Sequence, residues 1–226
     1  MKKSLLAIAA AVAALTAGSA FAQSFDGSSP WLVRLRAVHV DPSDGGSLSS
    51  KSGVGMSVSS KTIPEVDISY FFTPNIAAEL ILTYPQKHDI RSNGAIFGPL
   101  GKIGSLKELP PTLTAQYHFT DLGAIKPYVG AGINFTNFSS VKINSGVDDV
   151  LGGVYVKNNS WGAALQIGVD YAIDKNWSVN LDVKKVYMKT DVKSRSGIAI
   201  LGIPAGKLGD YKVDPLLVGV GVGYRF

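Results

Sequence analysis

The chain predicts an all-β fold, an eight-stranded antiparallel transmembrane β-barrel of the up-and-down kind, with short periplasmic turns and long extracellular loops. Three observations carry this. From Val213 to the end, Leu216, Val218, Val220, Val222, Tyr224 and Phe226 fall on one side of an extended strand, with Gly219, Gly221, Gly223 and Arg225 on the other, and the chain closes on an aromatic. A transmembrane barrel strand needs that division between an apolar outward face and a small or polar inward one. At the other end, Lys2 and Lys3 precede an apolar run from Leu5 to Ala17, followed by Ala20-Phe21-Ala22. This is the pattern of a secretory signal peptide, and its run of about 13 residues falls short of the ~20 a spanning helix needs. Third, no later segment is an apolar run of spanning length although 46% of residues are hydrophobic, so a membrane-embedded chain would have to cross as strands.

Residues 1–22 are therefore expected to be removed and 23–226 to form one barrel domain. Losing Lys2 and Lys3 lowers the formal charge from +5 to +3, too mild a balance to suggest a nucleic-acid partner. The absence of cysteine excludes a disulfide framework and thiolate metal sites.

The strands follow in order. The first, Trp31 to Val40, sets Trp31, Val33, Leu35 and Ala37 against Arg34 and Arg36. The second, Glu65 to Phe72, sets Val66, Ile68, Tyr70 and Phe72 against Glu65, Asp67 and Ser69. Thr73-Pro74-Asn75 is a tight turn signal, and the third, Ile76 to Tyr84, places Ala78, Leu80 and Leu82 opposite Glu79 and Ile81. The fourth, Thr112 to Phe119, alternates Leu113, Ala115 and Tyr117 with Thr114, Gln116 and His118. The fifth, Lys126 to Phe138, alternates Val129, Ala131, Ile133 and Phe135 with Tyr128, Gly130, Gly132 and Asn134. The sixth, Trp161 to Ala172, pairs Leu165, Ile167 and Val169 against Gln166, Gly168 and Asp170. A turn at Asp174-Lys175-Asn176 leads to the seventh, Trp177 to Tyr187, and the C-terminal segment makes the eighth. Period two with turn residues between the runs is the signature of strands.

Connections near Thr73, Thr120 and Asp174 are short, and those from Asp41, Pro85, Ser139 and Met188 are long. Short turns belong on the periplasmic side, which puts both chain ends there. Trp31, Phe72, Tyr117, Phe119, Tyr171, Trp177, Tyr224 and Phe226 then fall at periplasmic strand ends, and Tyr84, Phe135, Trp161 and Tyr187 at extracellular ends, giving two aromatic girdles. Lys185 alone is a charge on the lipid face, near the outer edge of the apolar band where an ammonium can snorkel. A soluble barrel with the opposite polarity would satisfy the same alternation; the leader, the terminal aromatic and the girdles favour the membrane.

Inside, Arg34, Glu79, Asp170 and Arg225 point inward at a similar low level. In so narrow a lumen they would form a charge plug, either simply satisfying buried charge or serving as a gate. Val38, Phe71, Ile81 and Val186 are the inward apolar positions assigned to the outer half, where they would line a hydrophobic passage or pack against loops. Pro85, Pro110 and Pro111 interrupt ladder pairing between the third and fourth strands, opening the wall or merely ending strands. No cofactor or metal site is expected: the glycines at 219–223 precede no helix, and His39, His88 and His118 are scattered.

Five segments also resemble the outer-membrane protein W family over essentially the whole mature length. They are Lys87-His88-Asp89-Ile90; Leu109-Pro110-Pro111-Thr112-Leu113 running into Gln116-Tyr117-His118-Phe119; Pro127-Tyr128-Val129-Gly130-Ala131-Gly132; Trp161-Gly162-Ala163-Ala164 with Gly168-Val169-Asp170-Tyr171; and Gly223-Tyr224-Arg225-Phe226. The resemblance implies an outer-membrane barrel whose outer half holds an apolar passage for small hydrophobic molecules, leaving sideways through the wall, with alkane-uptake proteins among its relatives. Where relatives place an apolar or aromatic residue on the seventh strand, this chain has Lys184. Outer-membrane lipid, lipopolysaccharide and small hydrophobic solutes are the implied partners, with the barrel-assembly machinery reading Val220, Val222, Tyr224 and Phe226. The alternatives are a lipid-modifying enzyme, which would need a loop serine near His39 or His88, and a surface receptor or adhesin working through its loops.

Overall fold

The computed structural model describes residues 29–45, 55–92 and 101–226. The leader, residues 1–22, lies outside them. Among the described residues the strands are β1 (Trp31–Asp41), β2 (Met56–Val58), β3 (Lys61–Phe71), β4 (Ile76–Leu82), β5 (Gln86–Ser92), β6 (Gly101–Leu109), β7 (Thr112–His118), β8 (Ile125–Ile143), β9 (Val154–Val156), β10 (Asn159–Ala172), β11 (Trp177–Val186), β12 (Lys189–Ser194), β13 (Gly206–Lys212) and β14 (Leu216–Arg225). One short α-helix, α1 (Ser145–Val150), and a 3-10 turn at Ala199–Leu201 interrupt them. Eight strands close a ring. β1 pairs antiparallel with β3, β3 with β4, β4 with β7, β7 with β8, β8 with β10, β10 with β11, β11 with β14 and β14 back with β1. Closure pairs every strand on both sides through the body of the ring.

Burial is inverted relative to a soluble protein. Arg34 and Glu79 are 0% exposed and Arg36 is 1%, whereas Leu35 is 55% exposed, Ile167 59% and Trp161 67%. An eight-stranded ring has an interior that side chains largely fill, so inward positions are buried whatever their polarity and outward ones bare whatever their hydrophobicity. The exposed apolar band needs a hydrocarbon surround.

The periplasmic turns are held by side-chain oxygens that copy backbone acceptors. Thr73 Oγ1 accepts from the Ile76 amide at 2.9 Å, and Asp174 Oδ1 from the Trp177 amide at 2.7 Å. Asn75 Nδ2 donates to the His118 carbonyl and Asn176 Nδ2 to the Arg225 carbonyl, tying each turn to the next strand. The Ser29 amide donates to the Phe226 carbonyl at 2.8 Å, so the described N-terminal end meets the C-terminus. Edge-to-face pairs Trp31–Tyr70, Tyr117–Phe119 and Trp177–Tyr224 form the lower girdle, and Phe135 against Trp161 part of the upper one.

The long connections hold more structure than a loop reading suggests. β5 and β6 form a hairpin that pairs with the outer end of β8 on one side and β2 on the other. β9, β12 and β13 make a separate three-stranded sheet. Their apolar faces meet in a cluster including Ile103, Phe138, Leu151, Met188, Ile198, Leu208 and Val213, which caps the outer end of the barrel. Lys185, placed on the lipid face by alternation, donates to Ser43 Oγ and the Asp214 carbonyl and thereby anchors this loop layer.

Candidate functional site: a charged lumen beneath an apolar cavity

β14 contributes no polar side chain at the centre of the lumen; it contributes space. A Cβ added at Gly221 would lie 2.2 Å from the Leu35 carbonyl oxygen and 2.8 Å from Arg36 Cγ, and one at Gly223 would lie 3.3 Å from Arg34 Cγ. The inward glycines of β14 are thus what allow two arginines on the neighbouring β1 to stand one above the other in so narrow a tube.

Those arginines organise the lumen. Arg34 contacts Asp170 at 2.6 Å and Glu79 at 2.9 Å. Arg36 contacts Asp67 at 2.8 Å, Glu79 at 3.3 Å, Glu65 at 3.4 Å and Asp182 at 3.8 Å. Lys184 pairs with Glu65 and, at 3.3 Å, with Asp182. Three cations therefore face five carboxylates. Neutral groups complete the network: Gln116 and Gln166 amides donate to Glu79 Oε2 at 2.6 and 2.9 Å, and the Tyr128 hydroxyl donates to Asp182 at 2.8 Å while accepting from Arg36 at 3.1 Å. The Tyr128 ring is stacked on His118 with centroids 4.9 Å apart.

Sequence reasoning located Arg34, Glu79 and Asp170, and the structure brings these three together. It corrects the rest of that set. Arg225 stands one level lower, opposite Leu32; its guanidinium lies 4.3 Å over the Phe71 ring and its Nε donates to the Ser29 carbonyl, and among the described residues it makes no ion pair within 4 Å. Arg36, Glu65, Asp67 and Asp182 were missed as members. Alternation does turn each of them inward, but which level each reaches depends on the stagger between strands, and only cross-strand register reveals that.

Phe71 is likewise corrected. It was assigned to the outer half, yet β3 runs toward the periplasm and Phe71 is its last residue before the Thr73 turn. It packs with Leu32 and Ala77 near the periplasmic mouth, its ring 4.8 Å from His118. Lys184 does not simply line a passage: it forms the top of the ion-paired layer.

Above the charged layer lies a small cavity, partly open to solvent, whose walls include Val40, Ile63, Ile81, Pro110, Val186 and Met188, with Lys184 and Glu65 also on its lining. Val38 packs just behind, against Val40 and Ile63. Gln86, His88 and Glu108 also reach this cavity, from the β5–β6 hairpin; a loop reading of those residues hid them.

The wall is thinnest on one side. The β3–β4 ladder ends at Val66–Leu82 and the β4–β7 ladder at Ile81–Thr112. Beyond, Lys61 to Pro64 pair with β1 alone among the barrel strands, and Pro64, Pro85, Pro110 and Pro111 cannot donate to a ladder. Pro110 and Pro111 are held on the other flank, where Asn134 Nδ2 donates to Thr112 Oγ1 at 2.8 Å and the Phe135 amide to the Pro111 carbonyl at 3.0 Å. Pro110 lines the cavity; Pro85 and Pro111 flank it in sequence.

The family profile described as OmpW family matches residues 28–226. An uncharacterized outer-membrane protein, y4mB, of Sinorhizobium fredii is 48% identical over 88% of this chain and 81% of its own length. Outer membrane protein W of Escherichia coli is 34% identical over 99% of this chain and all of its own. The crystal structure of the outer membrane protein OprG from Pseudomonas aeruginosa superposes with a TM-score of 0.74 at 28% identity, covering 88% of this chain and 97% of that one.

Proposed function

Because this chain belongs to the OmpW family and is an outer-membrane β-barrel, we propose that it assists small hydrophobic molecules across the outer membrane, by a route that enters the outer cavity and leaves sideways through the wall. One observation carries the reading: an apolar cavity sits directly on a charged layer that fills the lumen, beside the stretch of wall where two backbone ladders stop. A solute in that cavity meets desolvated ion pairs below it, which it would have to break at a cost of about 3–5 kcal/mol, and hydrocarbon beyond the prolines at its side. For an apolar molecule the lateral exit is downhill. Ile81 and Val186 serve as lining, with Val38 packed behind Val40 and Ile63, Lys184 as part of the floor, and Pro85, Pro110 and Pro111 as the frame of the exit. Lipopolysaccharide and outer-membrane lipid surround the barrel, and Val220, Val222, Tyr224 and Phe226 present the apolar C-terminal strand to the assembly machinery.

The reading is non-catalytic. His39 Nδ1 meets Thr62 Oγ1 at 3.1 Å on the exposed face, and His88 turns Nδ1 to the Ser59 carbonyl and Nε2 to Glu108. Neither contact is the serine–imidazole pair that an acyl-transfer enzyme requires.

The test is uptake of a graded alkane series into liposomes with and without the protein, beside a sugar of similar size. Protein-dependent uptake that grows with chain length, with no sugar flux, is expected. Sugar flux with no alkane effect would replace this reading with a polar pore.

A further inference from the structure

The cavity above the charged layer exposes mostly apolar surface, and one cluster among its polar groups is incompletely matched. Gln86 on β5 and Glu108 on β6 are direct cross-strand partners, and His88 lies two residues along β5 on the same inward face. All three are at least 96% buried and all three line the cavity. Gln86 Oε1 and Glu108 Oε2 are buried with no hydrogen-bond partner, and His88 Nε2 has only the long contact to Glu108 Oε1 at 3.4 Å. Other polar groups on the same wall are matched. Thr112 donates to the Pro110 carbonyl, Asn134 to Thr112, Thr83 to the Tyr84 carbonyl, and Lys184 to Glu65. A buried polar atom left unpaired is costly, so two side by side invite a ligand that answers them.

The chemistry of that ligand follows from what each atom can do. Gln86 Nε2 donates to the Tyr84 carbonyl at 2.7 Å, which fixes the amide so that its oxygen is the free end. His88 Nδ1 lies 2.9 Å from the Ser59 carbonyl and must carry the proton of that bond. Its Nε2 then stands 3.4 Å from Glu108 Oε1, where a second proton makes an ion pair. Two acceptors remain, Gln86 Oε1 and Glu108 Oε2. Lys184 is neutralised by Glu65 and the imidazolium by Glu108, so the wall has no net charge to offset the desolvation of an ionic head group, which leaves a neutral hydrogen-bond donor.

We propose that the cross-strand trio Gln86, His88 and Glu108 is a head-group site that selects, among apolar solutes entering the cavity, those bearing a hydroxyl, such as medium-chain alcohols or phenols. The apolar walls take the chain and the trio takes the O–H. This rests on the hydrophobic-passage reading above and narrows it from apolar molecules in general to apolar molecules with one donor.

The experiment is isothermal titration of the protein in phosphatidylcholine nanodiscs, with protein-free nanodiscs as blank, using 1-octanol, heptyl methyl ether and octane. The alcohol and the ether match in size and differ in the O–H. The alcohol is expected to bind about tenfold more tightly than the ether, the size of a hydrogen bond to a charged acceptor. The variant Gln86→Leu/Glu108→Leu should bring the two to parity while octane binding is retained. Equal affinities in the parent protein, or a preference that survives the double substitution, would overturn the head-group site while leaving hydrophobic passage intact. Failure of all three probes to bind would remove both. Heat-modifiable migration in gels checks that the variant folds; if it does not, the alcohol–ether contrast in the parent decides alone.

Discussion

Replacing Arg36 by Met tests whether the lumen is one coupled network. Arg36 has four carboxylates within 4 Å, at 2.8, 3.3, 3.4 and 3.8 Å, and also donates to Asn180 at 2.7 Å and Tyr128 at 3.1 Å. Its removal leaves five carboxylates facing Arg34 and Lys184. Asp67 loses the one cation within 4 Å that it has among the described residues. Methionine fills most of the volume, so the effect is electrostatic more than a cavity. Removing one partner of a buried pair costs about 3–5 kcal/mol. With a guanidinium slope of about 3 kcal/mol per molar, the unfolding midpoint in lipid vesicles should fall by about 1–1.7 M. Arg225→Met is the comparison: its guanidinium is half-buried over Phe71 and has no ion pair within 4 Å among the described residues, so a shift of at most about a third of that is expected. Adding Asp67→Leu to Arg36→Met should restore part of the loss, since it removes the stranded charge. If Arg36→Met and Arg225→Met shift the midpoint alike, or if Asp67→Leu makes Arg36→Met worse, the charges act independently and the plug has no cooperative character.

Three further outcomes are expected. Gly221→Ala should impair folding about as much as Arg36→Met or more, because the new Cβ meets the Leu35 carbonyl at 2.2 Å and backbone must move; the folded fraction on a gel reads this, and Val220→Ala on the outward face should be mild. Pro110→Ala/Pro111→Ala restores two backbone donors beside the end of the β4–β7 ladder and should lower alkane uptake, whereas unchanged uptake would remove the lateral exit. At His88, burial works against the charged form, yet Glu108 and the Ser59 carbonyl outweigh it and hold the imidazole above its usual 6.5, with Lys61 opposing. Its stabilising contribution is complete below about pH 6.5 and lost as pH rises through that raised value, so the β5–β6 hairpin should exchange its amides faster at high pH, and His88→Gln should flatten the dependence.

The strand count, the in-and-out assignment and the orientation were all legible in the primary sequence, because period two is a local property and turn length is a linear one. The eight runs match β1, β3, β4, β7, β8, β10, β11 and β14 with ends differing by a few residues. The largest differences are at β3, which begins at Lys61 and continues through Pro64 because that proline faces the side where no ladder forms, and at β8, which continues to Ile143 because the β5–β6 hairpin pairs with its outer end. The loop strands were not legible. Gln86 to Ser92 and Gly101 to Leu109 are short, polar and held by each other and by β8, so no single stretch carries a strong enough alternation to announce them.

Which side of each strand faces lipid was settled by the order of residues along the chain, since every odd-to-even step reverses a side chain's direction. How high each inward residue stands was settled only when the ring closed. Shear offsets neighbouring strands, so Arg36 meets Asp67 and Asp182 rather than the residues nearest in a linear reading, Arg225 drops below the network its charge seemed to join, and Phe71 falls to the periplasmic mouth. Gln86, His88 and Glu108 converge for the same reason: their positions relative to the cavity are fixed by partners more than fifteen residues away, and no local pattern encodes that distance.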